Sequence, residues 1–244
     1  MSKVYVVGIG PGAKKQMTLE AEEILQSCDL IVGYTVYVDL VRETFPEKQF
    51  LTTPMRQEAK RCEMALETAK QGKCVAMVCS GDAGVYGMAG LMFEIGTKFP
   101  EVEIEIVPGI TAASGGASVL GAPLIHDFAV ISLSDLLTPW EKIEKRLRAA
   151  AMADFVVCLY NPSSKKRHDY LEKACVCLLE YKREDTVCGI VRNIGRTGES
   201  YKILSLEELK YTETDMFTTV FIGNEQTKIV NGRMVTPRGY RDVQ

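Results

Sequence analysis

The residues best suited to chemistry lie in four turns rich in glycine or proline. These turns read GIGPG at 8–12, SGDAGVYG at 80–87, VPGITAA at 107–113 and LYNPS at 159–163. Three of them follow a short apolar run of the kind that forms a buried strand, and the third follows 102–107, whose alternating charged and apolar residues predict a partly exposed strand. Glycine lets a backbone approach a ligand closely, and in open α/β sheets ligands bind outside the carboxyl ends of the strands. The turns therefore predict a small-molecule site without identifying the molecule.

The first turn also fits the dinucleotide fingerprint G-x-G-x-x-A through Gly8, Gly10 and Ala13. That fingerprint requires a helix to begin inside the motif, so that its N-terminus faces a pyrophosphate. Here Pro11 interrupts the motif, and the second strand, at 30–33, ends without an acidic residue. A nicotinamide-dependent oxidoreductase and a nucleotide-binding module without catalytic activity stay as alternatives.

Nucleophilic and metal chemistry have little support in the sequence. No Ser-His-Asp or Cys-His arrangement is evident by motif, and no two cysteines form a Cys-x-x-Cys pair. The eight cysteines stand mostly among apolar residues, which favours buried reduced thiols. Only His126 and His168 could add imidazole ligands, so we expect no metal site. Asp82, in the second turn, can cap a following helix or accept a hydrogen bond from a ligand, and capping is the favoured interpretation.

Composition and charge exclude two broad classes of function. The net charge is -3, and the longest basic cluster, 165–167, is local, which argues against a nucleic-acid-binding face. No apolar run reaches the length of about 18 residues that a membrane span requires. The N-terminal residues enter a strand pattern and lack the features of a signal peptide. We therefore expect a cytoplasmic protein that binds neither nucleic acid nor membrane.

Alternating strand and helix patterns predict α/β layers in both halves of the chain. Helix starts are predicted at Thr18, at Thr53-Pro54 and at Thr138-Pro139, the last as a capping box. Further helices are predicted over 84–95 and 165–181. The small residues of 110–121 indicate either a tight helix–sheet contact or a backbone close to a ligand. The break at Gly121-Ala122-Pro123 predicts two domains, 1–121 and 122–244.

Five motifs taken in order resemble the tetrapyrrole methylase family: GIGPG, SGDAGVYG, VPGITAASGG, GAPLIHDF and TTVFIGN. The resemblance covers essentially the whole chain. Within the family, four stretches resemble the enzymes that methylate C17 of precorrin-3B or cobalt-factor III and contract the corrin ring. They are SLSDLLTPW (132–140), LYNPSSKKR (159–167), NIGRTGE (193–199) and MVTPRGY (234–240).

The resemblance implies a fold, a methyl donor and an assembly. The fold would be two α/β domains with a ligand cleft between them, and the assembly a homodimer. The donor would be S-adenosylmethionine, converted to S-adenosylhomocysteine, in cobalamin biosynthesis. Matched by motif, the donor-binding residues would be Pro11, Gly81, Asp82, Val85, Thr111, Ala112, Asn161 and Gly195. Ser80, Asn161-Pro162 and the loop at 196–198 depart from the more common family pattern.

Methyl transfer requires positioning rather than a catalytic nucleophile, whereas ring contraction moves protons and suits a general acid or base. The candidates for that role are His126, Asp127 and Tyr160, with Ser132 and Ser134 as further possibilities. His126-Asp127 can equally be a polar turn.

The carboxylates of a corrin precursor suit basic partners. The candidates are Lys165, Lys166, Arg167, Arg192, Arg196 and Arg238. The cluster 165–167 can equally be a solvated helix start. Tyr34 and Tyr37 could pack on the macrocycle or in the core. A different methylation site on the corrin ring, uroporphyrinogen III and a protein substrate such as diphthine stay open as alternatives, as does the choice between cobalt-containing and metal-free substrates.

Overall fold

The computed structural model describes residues 2–164 and 167–240, which divide by contacts into two units at the Ala112–Ala113 bond. The first unit contains β1 (Lys3–Gly8), α1 (Leu19–Ser27), β2 (Leu30–Tyr34), α2 (Thr35–Arg42), β3 (Gln49–Thr53), α3 (Glu58–Lys70), β4 (Cys74–Cys79), α4 (Ala89–Gly96) and β5 (Glu103–Val107). Helix α5 (Ala112–Leu120) follows at the division.

The first unit is a five-stranded parallel sheet in the order β3-β2-β4-β1-β5. The three inner strands, β1, β2 and β4, are apolar runs because helices cover both of their faces, whereas the edge strands β3 and β5 carry polar residues. On one face Val6, Val32 and Met77 pack with Cys62 and Leu66 of α3. On the other face a second apolar cluster includes residues of α1 and α2. This is the α/β architecture that the sequence predicts.

The second unit contains β6 (Gly121–Ala122), β7 (Phe128–Ser132), α6 (Trp140–Met152), β8 (Val156–Tyr160), α7 (Tyr170–Leu179), β9 (Val187–Arg192), β10 (Ser200–Ser205), α8 (Leu206–Lys210), β11 (Thr218–Ile222), β12 (Lys228–Val230) and β13 (Arg233–Val235). Its main sheet has the order β10-β9-β11-β8-β7. Only the β7–β8 pair of that sheet is parallel. A small sheet, β12-β13-β6, accompanies it.

Helix α5 packs tightly on the second sheet. A Cβ added at Gly116 would lie 2.8 Å from the Phe221 ring, and one added at Gly189 would lie 2.6 Å from Leu120. Val220 and Ile222 point instead into the cluster formed with α6 and α7, as the alternation of a strand requires. The small residues of 110–121 therefore make a close helix–sheet contact, one of the two predicted alternatives. This packing also explains why the division by contacts lies one helix before the predicted boundary at Gly121.

Several predicted helix starts are wrong, although the helices themselves are present. Thr53 ends β3 instead of capping α3, which begins at Glu58, and Met55 lies outside the helix and is exposed. Pro139 is the N-cap of α6, without the side-chain bond of a capping box. At α3 the pairing of Thr53 with Tyr34 of β2 overrides the local Thr-Pro signal. By contrast, the Thr18 hydroxyl caps α1 as predicted, accepting a bond from Ala21 N at 3.2 Å.

Two helices are also shorter than predicted. Helix α4 begins at Ala89 rather than Gly84, and α7 begins at Tyr170. In the first case, the glycine-rich residues 84–88 form a turn that Asp82 organises. In the second, Ser164 and Arg167 exchange backbone hydrogen bonds ahead of the helix, at 2.9 and 3.3 Å. No helix among the described residues is long and apolar enough to cross a membrane.

Candidate functional site

Three of the four turns meet at one edge of the first sheet. They follow β1, β4 and β5, whose carboxyl ends share that edge because the strands are parallel and β1 lies between the other two. Gly10 N donates to Gly81 O at 3.0 Å, and Gly81 N donates to Gly10 O at 2.8 Å. We call the turns 8–12, 80–87 and 108–111 together the glycine edge.

Glycine is required where these turns touch. A Cβ on Gly109 would lie 2.2 Å from Gly81 O, and one on Gly8 would lie 2.7 Å from Gly109 N. Backbone atoms cannot yield to such contacts as the end of a flexible side chain can. Gly10 and Gly81 also have positive φ angles of 73° and 72°, a conformation that side chains disfavour. The glycine edge is thus backbone packed against backbone.

Asp82 connects the second and third turns. Its Oδ1 accepts bonds from Gly84 N at 2.8 Å and Val85 N at 3.0 Å, and its Oδ2 accepts one from Gly109 N at 2.9 Å. The carboxylate therefore orders a turn, whereas α4 begins only at Ala89. The prediction that Asp82 caps a helix is therefore wrong. The role of Asp82 in donor binding stays a prediction.

The other predicted donor-binding residues of the first unit lie on or beside the glycine edge. Pro11 is buried in the first turn, Thr111 is half-buried at the end of the third, and Ala112 is half-buried directly after it. Val85 is exposed at the rim of the second turn. The first unit thus brings six of the eight predicted donor-binding residues to one edge: Pro11, Gly81, Asp82, Val85, Thr111 and Ala112.

The fourth turn lies at the carboxyl end of β8 in the second unit, beside the end of its parallel neighbour β7. Asn161 adopts a positive φ of 53°, and its Nδ2 donates to Ser132 Oγ at 3.0 Å. The Tyr160 hydroxyl accepts a bond from Ala113 N at 2.7 Å, at the start of α5. Gly195, the eighth donor-binding candidate, lies in the loop after β9 and donates its N–H to Glu199 at 2.7 Å.

A polar network extends from this turn. Arg167 donates from Nη1 to Ser134 Oγ at 2.8 Å and pairs with Asp135 at 3.0 Å. Tyr170 donates its hydroxyl to Asp135 Oδ2 at 2.6 Å. The bond from Tyr170 and the Arg167 charge lower the pKa of Asp135, and the same carboxylate raises the pKa of Tyr170. Arg167, a predicted substrate-binding residue, is thus already paired within its own unit.

The three acid–base candidates do not lie together in the second unit. Tyr160 ends β8, opposite Ser132 at the carboxyl end of β7. His126 and Asp127 precede β7 and so lie at the opposite edge of the sheet. A strand of this length separates the two edges by roughly 15 Å at about 3.3 Å per residue. The sheet does not assemble one acid–base group from all three, and their roles stay predictions.

Of the remaining predicted substrate-binding residues, Arg192 and Arg196 both lie beside the segment 215–217. Arg192 pairs with Asp215 at 2.6 Å, and the Arg196 guanidinium lies 5.5 Å from the centre of the Phe217 ring. Arg238 is exposed and has no ion-pair partner among the described residues. Lys165 and Lys166 lie outside the described residues.

Sequence reasoning missed one charged residue near the glycine edge. Arg61, on α3, is only 4% exposed. Its Nε donates to Thr53 Oγ1 at 2.8 Å, and its Nη2 donates to Pro54 O at 3.2 Å. An arginine beside an apolar helix stripe ordinarily faces solvent, so no signal in the sequence could have identified its burial.

Seven of the eight cysteines are buried free thiols and Cys74 is half-buried. Burial raises the pKa of Cys62 to about 12 and that of Cys79 to about 11. These are inert thiols, as the sequence predicts, because the thiolate is the reactive form. Within 2–164 and 167–240 no group of three or more His, Cys, Asp or Glu residues is placed to hold a metal ion.

Comparison with known proteins identifies relatives over nearly the full chain. Residues 3–210 match the sequence family described as Tetrapyrrole (Corrin/Porphyrin) Methylases. A Methanocaldococcus jannaschii protein named "Probable cobalt-factor III C(17)-methyltransferase" is 50% identical over 247 residues, or 98% of each chain. A Salmonella typhimurium protein of the same name is 47% identical over 236 residues, covering 96% of this chain and 98% of its own.

The fold has a solved counterpart. The crystal structure of the methyltransferase CobJ is similar to this chain with a TM-score of 0.88 and 38% sequence identity. The similarity covers 96% of this chain and 99% of that one.

Proposed function

The chain belongs to the tetrapyrrole (corrin/porphyrin) methylase family, and we propose that it transfers a methyl group from S-adenosylmethionine to C17 of cobalt-factor III or precorrin-3B in cobalamin biosynthesis. Similarity to probable cobalt-factor III C(17)-methyltransferases over nearly the whole chain carries this proposal. The names of those relatives favour the cobalt-containing substrate. Contraction of the corrin ring on the same chain is part of the proposal.

The glycine edge fits a donor held mainly by main-chain contacts. A Cβ added at Gly81 would lie 3.7 Å from Thr111 Cα and 3.8 Å from Ala112 N, in ordinary contact. Gly81 itself is buried, whereas the backbone at Thr111 and Ala112 is half-buried and that at Gly84 and Val85 is exposed. Members of the family depend on S-adenosylmethionine, which supplies an electrophilic methyl group on a sulfonium centre. The partly exposed backbone of the second and third turns supports donor binding at the predicted residues.

The chain's own contribution is to orient the reactants and to exclude water. Alignment of donor and acceptor can be worth effective molarities of roughly 10⁵–10⁸ M in well-oriented systems. The backbone bonds between Gly10 and Gly81, and the Asp82 bonds to Gly84 and Gly109, hold the glycine edge in one shape before binding. Methyl transfer on such a scaffold needs no protein nucleophile.

The first experiment is calorimetric titration with S-adenosylhomocysteine and, in parallel, with NAD⁺. We expect saturable binding of S-adenosylhomocysteine at one site per chain and none of NAD⁺. Turnover with cobalt-factor III and with precorrin-3B follows, measured as S-adenosylhomocysteine formation and as a gain of one methyl group in the product mass. Nuclear magnetic resonance of the product then identifies the methylated carbon and the ring size.

The outcomes separate the alternatives. Binding of NAD⁺ alone would overturn the methyltransferase proposal and favour an oxidoreductase. Donor binding with methylation of another carbon, or of uroporphyrinogen III, would keep the reaction and change the substrate. We also propose a homodimer, which sedimentation analysis of the purified chain tests.

A further inference from the structure

The first unit buries a positive charge without a negative partner. Arg61 is 4% exposed, yet no carboxylate lies within ion-pairing distance of it among the described residues. Its contacts are all to neutral groups: the Thr53 hydroxyl, the Pro54 carbonyl and the Met88 sulfur, which lies 4.0 Å from Nη1. Removing an ion from water is costly unless an opposite charge compensates it. The buried charge of Arg61 therefore destabilises the fold unless a ligand supplies the opposite charge.

The position of Arg61 relates this charge to the glycine edge. Thr53 ends β3, Tyr34 ends β2, and Met88 follows the second glycine turn directly, so the guanidinium lies over the carboxyl edge of the parallel sheet. The Tyr34 ring centre is 6.0 Å from the guanidinium carbon. Tyr34 and Tyr37 meet edge to face with their ring centres 5.2 Å apart. A cation beside aromatic rings suits a flat ligand with an acidic substituent.

Within the described part of the chain, the guanidinium of Arg61 has unused hydrogen-bond donors on the side that faces Met88. A guanidinium carries more N–H donors than the three contacts use, and the Met88 thioether is a weak acceptor. Methionine is also the most adaptable of the large apolar side chains, because it is unbranched. Met88 is therefore the side chain of this group that can move aside most readily. A carboxylate entering in its place would make charge-assisted bonds to Nη1 and Nη2.

We propose that Arg61 binds a carboxylate of the tetrapyrrole substrate, with the Met88 side chain moving aside to admit it. This inference rests on the proposed function and deepens it, because it identifies a substrate-binding residue in the first unit. Arg61 serves binding and orientation of the ring. It takes no part in proton transfer.

The first test is Arg61→Met, which removes the charge and keeps an unbranched side chain. We expect the KM for the corrin substrate to rise roughly tenfold or more, as for a lost charge-assisted hydrogen bond. S-adenosylhomocysteine affinity should not change. The melting temperature should stay equal or rise, since replacing a buried charge by an apolar group is often neutral or stabilising. Arg42→Met is the matched control, because Arg42 is an exposed arginine of the same unit, paired with Asp39. The Arg42→Met variant should have the same substrate KM as the wild type.

A second pair of variants tests the path of entry. Met88→Glu places a carboxylate beside Arg61 within the chain, and Met88→Gln places a neutral group of the same shape. We expect Met88→Glu to have a substrate KM well above that of Met88→Gln, because the internal carboxylate pairs with Arg61 and competes with the substrate. For the same reason the melting temperature of Met88→Glu should exceed that of Met88→Gln.

The outcomes distinguish this inference from the proposed function. If the wild-type chain does not methylate a corrin precursor, the proposed function fails. If it does, and Arg61→Met has an unchanged substrate KM or a lowered melting temperature, Arg61 is structural and the inference is overturned. Loss of S-adenosylhomocysteine affinity in Arg61→Met would assign the cation to the donor's carboxylate and would likewise overturn it.

Discussion

Asp82 shows how one side chain can fix the shape of a binding edge. Both of its oxygens accept backbone N–H groups, two within its own turn and one from Gly109 in the neighbouring turn. A carboxylate is suited to this because it is an acceptor at both oxygens, whereas an amide accepts at one and donates at the other. The charge also strengthens each bond.

We therefore expect Asp82→Asn to weaken S-adenosylhomocysteine binding by about tenfold, since the bond to Gly109 or those to Gly84 and Val85 must be lost. Calorimetry measures the change. Asp29→Asn is the matched control, because Asp29 makes the same kind of bond to Cys74 N at 2.8 Å, at the opposite edge of the same sheet. Equal donor affinities in the two variants would contradict a role for the glycine edge in donor binding.

The pairing of Asp135 predicts a pH dependence of stability. The bond from Tyr170 and the charge of Arg167 lower the pKa of Asp135 in the folded chain. The carboxylate therefore stabilises the fold above the unfolded pKa of about 3.9, and this contribution is lost as pH falls through the folded pKa. We expect Asp135→Asn to unfold at a lower urea concentration than the wild type at pH 7, with a gap that narrows below pH about 4.

The control for that measurement is Asp185→Asn. Arg183 lowers the pKa of Asp185 too, but both side chains are largely exposed. Exposed pairs contribute little, so the urea midpoint of this variant should follow that of the wild type at every pH. A gap for Asp135→Asn that stays constant with pH would mean that the variant perturbs packing rather than charge.

At the scale of elements, the glycine edge depends on three turns touching through their backbones. Gly109→Ala would place a Cβ 2.2 Å from Gly81 O, so the third turn must shift. We expect a loss of about 1–3 kcal/mol in unfolding free energy, as for other overpacked sites, together with weaker S-adenosylhomocysteine binding. Urea denaturation and calorimetry measure the two effects.

Gly90→Ala provides the comparison for Gly109→Ala. A Cβ on Gly90, in α4, meets nothing within 4 Å, so this variant should be neutral or slightly more stable because alanine favours a helix. If the two alanine variants were equally stable, the close approach of the turns would not be a constraint.

The sequence is informative where one local rule decides the structure. Strands β1, β2 and β4 could be predicted because each is an apolar run. The glycines directly after β1 and β4 identify the turns that end these two strands. The start of α3 could not be predicted, because Thr53-Pro54 has the pattern of a helix start while pairing with β2 extends the chain through Thr53. The burial of Arg61 depends on contacts with Thr53 and Pro54, close in sequence, and with Tyr34 and Met88, which lie 27 residues away on either side. The separation of Asp127 from Tyr160 depends on strand direction, which the chain order alone does not give.

At the scale of the whole molecule, the reactivity of the buried cysteines measures how often each of the two units opens. Cys62 and Cys79 lie in the first unit, Cys175 lies in the second, and burial raises the pKa of each thiol to between about 11 and about 12. The thiolate is the species that alkylating reagents attack. These cysteines should therefore react only when their unit opens.

Burial also raises the pKa of Cys74, but this thiol is only half-buried, so we expect iodoacetamide at pH 8 to modify the native chain once and slowly, at Cys74, and to modify all eight cysteines in urea. Intact mass spectrometry counts the modifications, and Cys74→Ser should remove the native one. Rapid native labelling of Cys62 or Cys175 would indicate a unit that opens far more readily than its burial predicts.

The order of the first sheet has a consequence for the chain as it is synthesised. β4 lies between β1 and β2, and the other neighbour of β1 is β5, made later still. A nascent chain that has not yet reached Cys79 thus holds β1 without either of its final neighbours, and β2 with β3 is the one native strand pair of this sheet open to it. Emergence of β4 then joins that pair to β1 in a single insertion. A ribosome pausing before β4 would prolong the exposure of the apolar β1, and chaperone binding to stalled chains should fall once β4 has emerged.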